Sequence, residues 1–267
     1  MPELPEVETV VRQLQQKILL KTISHLKSYD SLVIDPKLTK LKNIRITNIS
    51  RRAKYILLSL QNTQSILIHL RMTGHFHFVS KNDSSQAYRK YCVAKIHFTD
   101  GSLLSYNAIR RFERMQLLSS TQLREKLSSL GPEPLDPSYT ADIFTRHIRK
   151  SPNALIKNKL LDQTLIAGIG NIYAQEALYH ASILPQSQIK TVSTKSLKQL
   201  HTQLRLILTK SIQNGGTTVN NYTHLDGKGD FQDLLAVYQK DFCPKQHPIT
   251  RLALAGRGTY YCPICQK

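Results

Sequence analysis

Met1-Pro2-Glu3-Leu4-Pro5-Glu6-Val7-Glu8-Thr9-Val10-Val11-Arg12-Gln13-Leu14-Gln15-Gln16-Lys17-Ile18 opens the chain, and its periodicity decides the first layer of the fold. Apolar side chains at Val7, Val10, Val11, Leu14 and Ile18 recur at three- and four-residue steps, the spacing of one helix face. The stretch therefore predicts an amphipathic helix that begins near Glu3 and lays one side on a core. Pro2 suits the first turn of such a helix, where its missing N–H costs nothing. It also has a chemical reading. Removal of Met1 turns Pro2 into an amino-terminal secondary amine, and α-amino groups titrate near ~7.7 to 8.0 against ~10.4 for lysine. Far more of it is then unprotonated at neutral pH and able to attack an electrophilic carbon. Glu3 beside it can shuttle protons, and Glu6 lies one turn on, close enough to hold the amine or a sugar hydroxyl. Capping and catalysis both fit these residues taken alone.

Working outward, residues 44–49, 55–60, 65–70, 75–79, 93–98 and 102–106 read as short strands whose spacing predicts a β-sandwich or barrel. Residues 80–86 are a polar loop, and Asp100-Gly101 is a hairpin signal. Gly131-Pro132-Glu133-Pro134-Leu135-Asp136-Pro137 breaks helix and ladder alike, so a linker is expected over 131–138 between a first domain, 1–130, and a helical domain, 139–232. In the latter, Ser151-Pro152 predicts a helix start leading into Ala154, Leu155, Leu160 and Leu161. Leu197, Leu200, Leu204, Ile207, Leu208 and Ile212 form a further apolar stripe, ended by Gly215-Gly216. Gly168-Ile169-Gly170-Asn171-Ile172-Tyr173 is a glycine-bearing turn just ahead of a new helix. Backbone N–H groups and the helix dipole can grip a phosphate there, or the turn can simply join two helices.

The 267 residues carry 37 Lys plus Arg against 18 Asp plus Glu, a formal charge of +19 spread along the chain. Nucleic acid is the natural partner of such a surface. A membrane surface is the competing anionic partner, but no apolar run of ~18 residues, signal-peptide core or lipidation motif is present, so a soluble, cytoplasmic protein is expected. Three of the four cysteines fall from Cys243 onward. Cys243-Pro244-Lys245-Gln246-His247, a spacer of fourteen residues, and Cys262-Pro263-Ile264-Cys265 make two short ligand hooks around a hairpin, the pattern of a closed structural zinc site over residues 233–267. Thiolates with imidazole favour Zn²⁺. The alternative is a decayed hook that binds no metal. The spacer predicts two strands turning near Ala255-Gly256, with Arg257 close to the tip.

Taken together these motifs resemble one family over essentially the whole chain, the formamidopyrimidine-DNA glycosylases. Met1 to Thr9 is similar to its amino terminus, Arg51-Arg52-Ala53-Lys54-Tyr55 to its basic strand, and His69-Leu70-Arg71-Met72-Thr73-Gly74 to its intercalation loop. Leu130 to Leu135 is similar to its linker, Leu160-Leu161-Asp162-Gln163 with Gly168 to Ala174 to its helix-two-turn-helix element, and Gly256-Arg257-Gly258-Thr259 to its zinc finger. The resemblance implies an α+β fold: an N-terminal helix with a two-layer β-sandwich, then a helix-two-turn-helix domain with a C-terminal β-hairpin zinc finger. It implies a monomeric base-excision-repair enzyme acting on double-stranded DNA that contains oxidised purines or abasic sites. Pro2 would be its nucleophile and Glu3 its proton shuttle, with Lys54 and Arg257 in the catalytic set. Met72, Arg110 and Phe112 would be the wedge that fills the gap left by a flipped base. Asn171, Lys157 and Tyr238 would contact the DNA, and one structural zinc would be held by Cys243, His247, Cys262 and Cys265.

Three departures stand out. Gln246 occupies the second cysteine position of the family's first zinc hook, and His247 follows it, which makes a Cys3His site the expected repair. The family's Asp-Pro-Arg-Arg-Phe-Gly wedge segment is here Ala108-Ile109-Arg110-Arg111-Phe112-Glu113, without the rigid proline and the glycine. The lesion-capping loop, read as Gly227-Lys228-Gly229-Asp230-Phe231, is short and carries an acid. An oxidised-pyrimidine enzyme of the endonuclease VIII type and a catalytically idle binder of damaged DNA are the competing expectations.

Overall fold

The computed structural model describes residues 1–81, 90–217, 225, 227 and 229–267; most of the predicted loop at 80–86 and Lys228 of the capping loop lie outside them. By its contacts the chain divides into two compact units, Met1–Ser128 with Gly215–Gly229, and Ser129–Asn214 with Asp230–Lys267. Residues 215–229, drawn with the helices from sequence, instead group with the first unit.

In the first unit, helix α1 (Leu4–Ile18) is capped by Glu3, and Val7, Val10, Val11, Leu14 and Ile18 are each at most 3% exposed. Burying side chains of this size is worth roughly 1.5–3 kcal/mol each, which is what holds the helix to the sheet. Eight antiparallel strands follow: β1 (Thr22–Ser28), β2 (Lys42–Arg52), β3 (Tyr55–Leu60), β4 (Ser65–His69), β5 (His75–Val79), β6 (Cys92–Phe98), β7 (Leu103–Asn107) and β8 (Arg114–Leu118). Their hydrogen-bonded order is β5-β7-β6-β1-β2-β3-β4-β8. The first residues of β2 pair with β1 (Ile44 opposite Ile23), and the rest pair with β3 after a register shift between Ile46 and Asn48. A bulge of this kind lets one strand turn the corner between the two layers of a sandwich. Helix α2 (Ser120–Ser128) follows β8.

Strands β1 and β8 escaped the sequence reading for physical reasons. The register of β1 shifts between Ile23 and His25, so its buried side chains, Ile23 and Leu26, stand three apart and the two-residue alternation is lost. Strand β8 is five residues long and buries only Met115 and Leu117.

In the second unit, helices α3 (Ala141–Arg149), α4 (Ile156–Leu160), α5 (Asn171–His180) and α6 (Thr194–Gln213) precede the hairpin β9 (Thr250–Leu254) and β10 (Arg257–Tyr261). Ser193 caps α6 by accepting the Ser196 amide. The helix expected from Ser151-Pro152 begins later, at Ile156, because the carbonyls of Pro152 and Ala154 accept the amides of Lys190 and Ile189. The proline-rich stretch is likewise anchored within this unit: the Gly131 amide donates to the Gln163 carbonyl at 2.8 Å, and Pro132 accepts from Ala167 at 2.9 Å. Among the described residues no helix is long and apolar enough to cross a membrane.

Candidate active site and nucleic-acid interface

Strand register gathers one set of residues on a single rim of the first unit. Tyr55 at the start of β3 pairs with His69 at the end of β4, and His69 pairs with Arg114 at the start of β8. The turn at Ala53-Lys54, the loop at Leu70–Gly74 and the segment at Ile109–Glu113 therefore all leave the sheet at that rim. Ala53 has φ +52°, which closes the β2–β3 turn in two residues and leaves Lys54 6% exposed. Helix α1 is tied to the same hairpin, since Arg51 donates to Glu8 at 2.9 Å and to the Ala53 carbonyl at 3.0 Å.

At the front of α1, Pro2 is buried and Glu3 and Glu6 form a reciprocal capping box, with the Glu3 amide donating to Glu6 Oε2 at 2.8 Å. Such a box satisfies two N–H groups that a helix start leaves orphaned. Glu6 Oε1 accepts both the amide and the hydroxyl of Thr217, at 2.8 and 2.9 Å. Glu6 is thus engaged on both oxygens, which makes it a holder of the helix start and not a second acid. Gly216 takes φ +78°, and a Cβ there would sit 3.0 Å from Glu6 Oε1. Only glycine lets the backbone pass so close in that conformation.

The wedge candidates Met72 and Phe112 are 43% and 56% exposed. Arg110 donates to the Met72 sulfur at 3.0 Å and its guanidinium stands 5.3 Å from the Phe112 ring centre. His69 is neutral here: burial first, then the charges of Arg71 and Lys54, bring its pKa down to about 3, and its Nδ1 accepts the Arg71 amide at 3.0 Å.

In the second unit, the turn ahead of α5 is locked by Gln163, which accepts the Gly168 amide at 2.9 Å and donates to the Ile169 carbonyl at 2.8 Å. Asn171, first residue of α5, donates to the Gly258 carbonyl at 3.1 Å, and Gln175 accepts the Tyr260 amide. These bonds tie the hairpin to the amino-terminal end of α5, where backbone N–H groups face outward. Lys157, expected at the DNA surface, is instead fully buried and donates to Thr259 Oγ1 at 2.6 Å, so it braces the hairpin from inside. Arg257 is exposed next to the tip, with Ala255 and Gly256 both at positive φ in the two-residue turn. Tyr238 is half-buried and packs edge-on against Tyr260 at 5.6 Å.

Glu176 was not foreseen. It is 2% exposed and accepts the amides of Ala236, Val237 and Tyr238 at 2.7, 3.0 and 2.8 Å; burial pushes its carboxyl above the usual range, against the pull of those amides. Residues Ile172 to Tyr179 are all buried, and a carboxylate inside a helix buried on every side must find donors. That was the available signal.

The four expected metal ligands come together, with donor atoms of Cys243, His247, Cys262 and Cys265 all within 4.8 Å of one another. His247 Nδ1 stands 3.2 Å and Cys243 Sγ 4.0 Å from Cys265 Sγ, spacings close to the edges of a tetrahedron with Zn–S and Zn–N bonds of ~2.3 and ~2.0 Å. Burial opposes ionisation of Cys243, but amides of His247 and Lys245 and the Tyr179 hydroxyl directed at its sulfur bring its pKa down to about 6. The donor set and its geometry fit a metal ion of the zinc kind.

Residues 1–115 match the model of the formamidopyrimidine-DNA glycosylase N-terminal domain, and residues 130–223 that of the same family's H2TH domain. The chain belongs to the formamidopyrimidine-DNA glycosylase family. It is similar, at 38% identity with 100% of both chains covered, to formamidopyrimidine-DNA glycosylase of Protochlamydia amoebophila. The enzyme of that name from Ligilactobacillus salivarius is 37% identical over 100% of this chain and 99% of its own. Among solved structures, the Lactococcus lactis protein in complex with abasic-site DNA is 33% identical, with 99% of each chain covered and a TM-score of 0.92. A variant of the same protein with Fapy-dG-containing DNA is 34% identical over 100% of both, again at 0.92. As a member of this family, the chain is a base-excision-repair DNA glycosylase.

Proposed function

We propose that this glycosylase removes oxidised purines, 8-oxoguanine and formamidopyrimidines, from duplex DNA and then nicks the strand as an abasic-site lyase. The observation that carries the reading is the capped start of α1, where Pro2 and Glu3 lie buried together beside a glutamate committed to Glu3 and Thr217. Once Met1 is removed, the Pro2 nitrogen attacks C1′ of the damaged nucleotide. The glycosidic bond breaks, the base departs with a proton, and an imine to Pro2 remains. Glu3 exchanges protons with the opening sugar, and loss of a proton from C2′ expels the 3′ phosphate, followed by the 5′ phosphate in a second elimination. Lys54, on the same rim, neutralises a phosphate near the lesion. Met72, Arg110 and Phe112 take up the space of the extruded base, while Asn171, Tyr238 and Arg257 hold the backbone of the strand.

The metal bound by Cys243, His247, Cys262 and Cys265 is, on this reading, one zinc ion. With four protein ligands it leaves no open position, so it stabilises the hairpin that carries Arg257. The enzyme works as a monomer in the cytoplasm. Borohydride reduction on a duplex with a single abasic site tests the reading: the parent protein should become covalently fixed to DNA, and Pro2→Gly should lose trapping with zinc content unchanged. A reduced adduct carried on a residue other than Pro2 would refute the nucleophile, and no trapping by the parent would favour an idle binder.

A further inference from the structure

Glu113 has no counterpart in the family's wedge segment, where a glycine stands, yet it is fully buried in this chain. Its Oε1 accepts the Thr73 amide at 3.1 Å and the Thr73 hydroxyl at 2.7 Å. The Thr73 hydroxyl in turn accepts the Arg110 amide at 3.1 Å. One carboxylate oxygen thereby links the loop that carries Met72 to the segment that carries Arg110 and Phe112. The linkage reaches the side chains themselves, through the Arg110 contacts to the Met72 sulfur and the Phe112 ring.

The other oxygen, Oε2, is buried without a hydrogen-bond partner among the described residues. A buried, half-satisfied carboxylate is costly, and it persists where something else is gained. The room for it comes from Gly74: a Cβ at that position would lie 2.9 Å from Glu113 Cγ and 2.6 Å from the Leu70 carbonyl. The same segment has Ile109 where the family has proline, so it has lost the residue that fixes backbone φ. A hydrogen-bonded clamp between the two loops supplies the missing rigidity.

We propose that Glu113 is a positioning residue that holds Met72, Arg110 and Phe112 in one wedge through Thr73, and so sets the rate at which a paired lesion is extruded. The inference rests on the wedge assignment above. Its test compares two substrates in the full-length protein. A duplex with 8-oxoguanine opposite cytosine requires the wedge, whereas a single strand with an abasic site has neither a base to extrude nor a partner strand to hold apart.

Glu113→Ala should lower kcat on the duplex by about tenfold or more, as expected when reacting groups are misplaced by a fraction of an ångström. Borohydride trapping on the single strand should stay within about twofold of the parent. Glu113→Gln keeps the accepting oxygen and should restore most of the duplex rate. Thr73→Val should reproduce the loss, and the double variant Glu113→Ala with Thr73→Val should be no worse than either alone. Unchanged duplex turnover in Glu113→Ala, an equal loss on both substrates, or a Gln variant as slow as the Ala one would overturn the assignment. A parent that fails to trap the abasic strand would instead refute the imine-forming lyase reading, so the two failures are distinguishable.

Discussion

The two units organise chemistry in different ways. In the first, the site sits on the rim of a sandwich whose core holds 29 described apolar residues from α1, the strands and the segments between them; the backbone needs no outside help, and side chains far apart in sequence meet because register delivers them. In the second, the apolar cluster beneath the hairpin is five residues, Tyr179, Ala236, Val237, Cys243 and Cys262, two of them in the Cys/His group that could hold a metal ion. A core that small supplies little free energy. The first unit therefore fixes the start of α1 by packing, whereas in the second the hairpin that carries Arg257 is held by hydrogen bonds from Asn171, Gln175 and Lys157 beside a Cys/His cluster that could hold a metal ion.

The largest effect should come from the chemistry of the first unit with its fold left intact. Glu3→Gln removes the exchangeable proton but can keep the cap, and loss of a general acid or base typically costs ~10² to 10⁴ in rate. Single-turnover excision should fall by that order while DNA affinity by fluorescence anisotropy holds; unchanged turnover would remove Glu3 from the mechanism.

His247→Ala should then divide the units. Metal analysis should fall below one zinc per chain, limited proteolysis should open the hairpin, and DNA affinity should drop, while the first unit keeps its protection from exchange. A variant with full zinc content would place the fourth ligand elsewhere. Smaller again is Arg257→Ala, which should leave zinc in place and reduce the salt slope of duplex binding by about 0.9, the loss of one phosphate contact. An unaltered slope would mean that the tip does not grip the backbone.

The smallest effect belongs to His69. Its pKa in the fold is about 3 against an ordinary value of 6.5, so the folded state binds fewer protons than the unfolded chain. The stabilisation is complete above pH ~6.5 and is lost as pH falls from there toward ~3. Urea midpoints at pH 7.5 and pH 5 should therefore differ less in His69→Gln than in the parent.

Sequence patterning made the helix at 4–18, strands β3 and β5 and the metal hooks legible, because each is a local signal: a helical stripe, an apolar run, a spacing of ligands. The polar connections were not legible. Glu6 reads from sequence as a holder of the amine or a sugar hydroxyl, but Thr217, 211 positions away, takes up its oxygen. Lys157 reads from sequence as a DNA contact, but it donates a hydrogen bond to Thr259 inside the fold. Glu113 was visible as a departure from the family pattern, but its burial and its bond to Thr73 depend on the pairing of β4 with β8. Burial of a charged side chain is a tertiary property, and no local pattern announces it.

The central claim, that Pro2 of the processed chain is the nucleophile, is tested most directly by mapping the borohydride-reduced adduct. The protein should be trapped on an abasic duplex, digested and sequenced by tandem mass spectrometry. The account predicts a peptide that begins at Pro2, lacks Met1 and carries the reduced sugar on its amino-terminal nitrogen. An adduct on Lys54 or any other lysine, with the Pro2 nitrogen unmodified, would contradict it.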